Sequence, residues 1–111
     1  MNAKLKNYLT NIKNATGTNL FRNYYVDGDD VLKNGDLSCA YFVTTILLMH
    51  NLIDRIHFRV DGTIAAMLKS DWMEIERPEV GSIVVWNPIK QNGESHLHIG
   101  FSIGGEEAIS N

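Results

Sequence analysis

The stretch Leu37-Ser38-Cys39-Ala40-Tyr41-Phe42-Val43-Thr44-Thr45-Ile46-Leu47-Leu48-Met49 constrains this chain more than any other. It is almost wholly apolar, contains neither Pro nor Gly, and follows the turn signal Asn34-Gly35. Such a run reads as a helix, with Asp36 or Ser38 available as its N-cap. Ser38, Thr44 and Thr45 interrupt it and His50 ends it, so it falls far short of the ~20 residues that a bilayer span needs. It is expected to be a buried helix around which the remaining elements pack, and no membrane partner is expected.

The chain of 111 residues has 44% hydrophobic and 21% charged residues. That composition suits one globular domain, residues 1–111, with a single core. Ten basic residues against 13 acidic ones give a formal charge of −3 without long runs of either sign. No electrostatic footprint for nucleic acid or an anionic membrane results. A single cysteine makes no internal disulfide, and the residues after Met1 are polar and lysine-bearing. The default expectation is a reducing, cytoplasmic compartment with no secretory signal.

Leu5, Leu9 and Ile12 recur at helical spacing, with Tyr8 beside them, and predict an amphipathic helix over residues 3–16 that Gly17 stops. Residues 19–25 are aromatic-rich and lead into Asp27-Gly28, a turn. The nearby acidic cluster Asp27, Asp29 and Asp30 lacks the later ligands of a calcium loop and reads as a solvated turn. Residues 51–60 read as loop with some extended character. Asp61 is expected to cap a helix over 62–69 whose inner face holds Ile64, Ala65, Met67 and Leu68. From Asp71 the period becomes that of strands, at 72–75, 82–86, 97–103 and 107–110, with a polar loop over 87–93 and a tight hairpin at Gly104-Gly105. Helices followed by an antiparallel sheet place the chain in the α+β class.

Cys39 falls in the first turn of the central helix, where backbone N–H groups carry partial positive charge and favour a thiolate. The competing reading is a small buried hydrophobe. A nucleophilic cysteine needs a base and a group that orients that base. His98 opens the stretch Leu97-His98-Ile99-Gly100-Phe101, with Gly100 leaving room beside it on the same face. The following strand ends Ile109-Ser110-Asn111, so either Ser110 or Asn111 can orient the ring. His50, at the end of the cysteine helix, is expected to meet the last helical carbonyls, and His57 lies in a weakly patterned segment. His96 and His98 share a strand face and could bind zinc with Cys39, but no nearby carboxylate or second cysteine completes the set. No metal and no cofactor is expected.

These residues carry a resemblance. Cysteine at a helix start, then Pro78-Glu79-Val80-Gly81-Ser82-Ile83-Val84-Val85-Trp86, then His98-Ile99-Gly100-Phe101-Ser102-Ile103-Gly104, then Ala108-Ile109-Ser110, resembles the NlpC-type cysteine peptidases. These are papain-like enzymes, related to the CHAP amidases, that hydrolyse cell-wall peptides. The resemblance runs from about Tyr24 to the end of the chain. It implies a papain-like fold with Cys39 as nucleophile, His98 as base, Ser110 as orienting residue with Asn111 its neighbour, and Tyr25 or Tyr24 at the oxyanion site. It also implies a peptide substrate, peptidoglycan stem peptides first. The Asp-Cys-Ser bracket usual in that family is Ser38-Cys39-Ala40 here. That departure motivates one alternative, a catalytically inactive peptide-binding module of the same fold; another is a thiol hydrolase or acyltransferase acting on a non-wall substrate.

Overall fold

The computed structural model describes residues 2–91 and 94–110, with side chains except those of residues 87–91 and 94–96. Its elements run α1 (Ala3–Asn14), β1 (Tyr25–Val26), β2 (Asp29–Asp30), α2 (Cys39–Met49), α3 (Val60–Lys69), β3 (Ile83–Gln91), β4 (Glu94–Gly104) and β5 (Glu107–Ser110). Among the described residues, three helices and two antiparallel sheets make a small α+β fold, as the order of sequence periods predicts. Among the described residues, no helix is long and apolar enough to cross a membrane.

The larger sheet has the order β3-β4-β5, so β4 is central. Alternate β4 residues face opposite ways. Ile99 and Phe101 are fully buried toward the helices, where the Phe101 ring meets Phe42 of α2 edge-on at 5.3 Å and Tyr8 of α1 at 5.8 Å. From α2 the core takes Ala40, Phe42, Val43, Ile46 and Leu47. From α1 it takes Tyr8, Leu9 and Ile12, the stripe visible in the sequence. Helix α1 starts at Asn2, whose side chain accepts from the Leu5 N–H (2.8 Å), a regular N-cap.

Several elements differ from expectation. Residues 72–75 form no strand: the Trp72 indole turns inward and donates to the Leu52 carbonyl (2.7 Å), and no neighbouring strand pairs the segment. The expected polar loop over 87–93 is mostly sheet, because β3 continues to Gln91 and β4 begins at Glu94. Pro88, which cannot donate to a ladder, is absorbed by a register shift between Trp86 and Ile89. Helix α3 begins at Val60, so Asp61 lies in its first turn, paired with Arg59 (3.2 Å) rather than capping. Its buried residues are Val60, Thr63 and Met67, while Ala65 and Leu68 face outward. The His50 ring bonds to Asn11 Oδ1 (2.8 Å), joining α2 to α1, and it is the His50 backbone N–H that reaches the Leu47 carbonyl.

The acidic turn is also more than solvated. Asp27 and Gly28 adopt positive φ (51° and 89°), which closes the β1–β2 hairpin. Asp30 then gathers four donors. Its carboxylate accepts from Asn23 Nδ2 (2.6 Å) and from the backbone N–H groups of Tyr24 (3.1 Å), Leu32 (3.1 Å) and Asn34 (2.8 Å). The chain there passes through three successive left-handed residues, Lys33, Asn34 and Gly35 (φ 52°, 57° and 100°), before it enters α2. Non-glycine residues resist that conformation, and the bond from the Asn34 N–H to Asp30 helps to hold it.

Candidate functional site

Cys39 is the first residue of α2 and is partly buried. Ser38 stands before it in the cap position, yet its hydroxyl donates back to the Gly35 carbonyl (2.9 Å) and so belongs to the incoming turn. The backbone N–H groups of Ile99, Ala40 and Cys39 itself favour the thiolate. Burial pushes the thiol up from its ordinary pKa, and this outweighs the downward pull of those N–H groups. Desolvation of the partly buried sulfur thus opposes the help that the helix start gives to a thiolate.

The sheet explains why Ile99 meets the sulfur. The Ser102 N–H donates to the Ser82 carbonyl, so Gly100 and His98 also bond toward β3 and the Ile99 N–H points to the β5 side. On that side the described β5 pairing reaches Gly100–Ser110, and Asn111, which follows it, lies outside the described residues.

His98 is next to Ile99 in the chain but alternates to the other sheet face, shared with Trp86, Gly100 and Ser110. Its ring lies 5.2 Å from that of Trp86, its cross-strand partner, tilted by 40°. Burial pulls the imidazole below its ordinary pKa, which keeps it neutral and able to accept a proton near pH 7. Among the described residues, no hydrogen bond joins the His98 ring to Cys39 or to Ser110.

Gly100 does not leave open room beside His98, as the sequence suggests. A Cβ there would stand 2.6 Å from the Ile109 carbonyl oxygen, 2.9 Å from Ser110 Cβ and 3.1 Å from the Trp86 indole. The glycine therefore serves the close approach of β5 and Trp86. Ser110 is exposed and pairs with Gly100, while Asn111 and the His96 side chain lie outside the described residues. The three-ligand zinc reading with Cys39 and His98 includes that undescribed His96 side chain. Among the described residues, no cluster of three or more metal-ligating side chains occurs.

The two tyrosines part company. Tyr24 packs in an aromatic cluster, 5.4 Å from Tyr41 and 4.7 Å from Phe58, which braces the start of α2. Tyr25 projects from β1 and is 65% exposed. Sequence reasoning overlooked Trp86 and Asp30. Trp86 could have been found by counting back across the β3–β4 hairpin, had the turn not been placed over 87–93. Asp30 carried only the weak signal of an Asp two residues before a buried leucine, an Asx-turn spacing.

A cavity of about 1110 Å³ opens elsewhere, between α3, residues 72–82 and the outer edge of β3. Neither Cys39 nor His98 lines it. Comparison of the chain with protein-family models, curated proteins and solved structures gives no match.

Proposed function

We propose that this protein is a papain-like cysteine hydrolase that cleaves amide bonds, with peptidoglycan stem peptides as the substrate class that the NlpC resemblance suggests. The observation that supports it is the setting of Cys39, a partly buried free thiol that is the first residue of a helix and lies near the backbone of Ile99, the residue after His98.

In this reading the thiol is protonated at rest and His98 is neutral, so catalysis begins with proton transfer and not from a standing ion pair. His98 takes the Cys39 proton as sulfur attacks the carbonyl carbon. The oxyanion is met by the Cys39 backbone N–H. His98 then delivers the proton to the amine as the C–N bond breaks, leaving a thioester. Water, deprotonated by His98, attacks the thioester, and the proton returns to sulfur as the carboxylic acid leaves. Ser110 or Asn111 orients the ring, and Tyr25, the exposed tyrosine, is the one able to reach a substrate.

A second reading has its own support. His98 and Ile99 occupy opposite faces of β4, and burial disfavours the thiolate, which suits a catalytically inactive peptide-binding module of the same fold.

Purified wall stem peptides, ordinary L-peptides and acyl esters, each incubated with the protein, separate these readings. The hydrolase releases new amino groups from the stem peptides, and Cys39→Ala and His98→Ala each abolish that release, with the double variant scarcely worse. Turnover that survives in Cys39→Ala refutes the mechanism. Binding of stem peptides without turnover selects the inactive module, and cleavage of L-peptides or esters alone keeps the thiol chemistry and discards the wall substrate.

A further inference from the structure

The cavity beside β3 is built unlike the thiol site. Its walls include Leu68, Met73, Ile75 and Val80, large apolar side chains that remain exposed, with Leu68 60% and Met73 78% accessible. Five acidic residues, Asp54, Asp71, Glu74, Glu76 and Glu79, also line it, whereas the neighbouring Arg55, Lys69 and Arg77 do not. An apolar surface whose charged lining is acidic is the pattern of one that receives a partner of the opposite sign.

The third wall is main chain. β3 is an edge strand. Ser102 bonds to Ser82 and Gly81, so by antiparallel alternation Val84 and Trp86 bond toward β4, and the N–H and C=O groups of Ile83 and Val85 point to the open edge. Ile83, Val84 and Val85 line the cavity on that side. An unpaired edge next to apolar pockets accepts an extended peptide as an added strand. A symmetric contact between two copies through this face would set the five carboxylates against their own counterparts, a repulsive arrangement.

We infer that this groove is a docking site for an extended cationic peptide segment, in which aliphatic residues alternate with lysine or arginine and whose backbone pairs with the free edge of β3. Aliphatic side chains fill the groove near Ile75 and Leu68, and the cations meet the acidic lining. The site is independent of Cys39 and requires no turnover.

The test is fluorescence anisotropy with a labelled peptide alternating lysine and valine, compared with a glutamate–valine peptide and with a lysine–valine peptide N-methylated on alternate amides. The lysine peptide binds, and its affinity falls with added salt. Replacing Glu74 and Glu79 together by Lys, both exposed and outside regular structure, weakens binding at low salt by about tenfold. Val85→Pro removes an N–H directed at the open edge and weakens it similarly, while N-methylation does the same without altering the protein. Because the charge-reversal variant and the methylated peptide leave the core intact, misfolding of Val85→Pro does not decide the matter. Equal binding of the glutamate peptide, indifference to N-methylation, or occupation of the groove by a second copy in sedimentation with no peptide bound would each overturn the inference.

Discussion

The Tyr8 hydroxyl donates a 2.7 Å hydrogen bond to the Gly81 carbonyl, seventy-three residues away, and this fixes α1 against the turn that starts the larger sheet. Gly81 itself has φ +89°, and an added Cβ would come within 3.0 Å of the Tyr8 ring. Burial pushes the phenol far above its ordinary pKa, so it remains a donor well into alkaline solution. Tyr8→Phe should leave a buried carbonyl without its partner and cost about 1–2 kcal/mol in urea unfolding. Gly81→Ala should cost more, since it adds a left-handed alanine to the same contact. A Tyr8→Phe variant as stable as the parent would show that water replaces the bond.

Cys39 should alkylate slowly near pH 7. With the thiol pushed above its ordinary range, the thiolate fraction at neutral pH is smaller than that of a free cysteine, and iodoacetamide labelling should climb about tenfold per pH unit well beyond pH 8. A rate that is already flat at pH 7 would mean a resident thiolate and reverse the sign of the electrostatics.

His98 sets an acid limit. Its folded pKa lies below the ordinary histidine value, so the unfolded chain binds a proton first as pH falls. The stabilisation is complete above the unfolded value, about 6.5, and is lost as pH drops through the lower folded value. Any hydrolysis that uses His98 as base should show its acid limb below pH 6.5. NMR titration of the ring should find the same midpoint, and a midpoint above 6.5 would contradict the burial of the imidazole beside Trp86.

Asp30 should resist acid. Desolvation pushes its carboxyl up, but the Asn23 side chain and the Tyr24, Asn34 and Leu32 N–H groups together outweigh this and hold it at about 2. The interactions are fully present above the ordinary aspartate value near 3.8 and are lost as pH falls through about 2. At pH 3 the Leu32 and Asn34 amides should therefore remain protected in hydrogen exchange, and Asp30→Ala should expose them at pH 7 and lower the melting temperature. Unchanged exchange in Asp30→Ala would show that the left-handed turn holds itself.

Gly100→Ala should separate β4 from β5. The 2.6 Å approach to the Ile109 carbonyl is to backbone, which cannot swing aside as a side chain does. A cost of about 1–3 kcal/mol is expected, together with a loss of the His98–Trp86 ring contact visible in tryptophan fluorescence. Parent-like stability and fluorescence would mean that the third strand is loosely held.

What the sequence disclosed follows the range of the forces involved. The α1 stripe of Leu9 and Ile12, the apolar α2, the Asp27-Gly28 turn and the bounds of β5 are set by local period and turn chemistry. Errors fell where a distant partner decides. Trp72 leaves an apparent strand to bond to Leu52, Leu68 turns outward although it is as apolar as Met67, and strand pairing carries β3 past Pro88 into the stretch expected as loop. At the candidate site, the helix start of Cys39 was legible. The burial that opposes its ionisation was not, since it depends on what packs over the sulfur.

The covering of α2 by Ile99 and Phe101 also has a meaning in time. As the chain leaves a ribosome, Phe42, Val43, Ile46 and Leu47 are synthesised some fifty residues before the strand that shields them. Until β4 has emerged, the nascent chain holds a greasy helix whose lid does not yet exist, which is the condition that recruits chaperones and invites aggregation. Synthesis stalled before residue 94 should leave an insoluble or chaperone-bound product, whereas release after β4 has formed lets the core close.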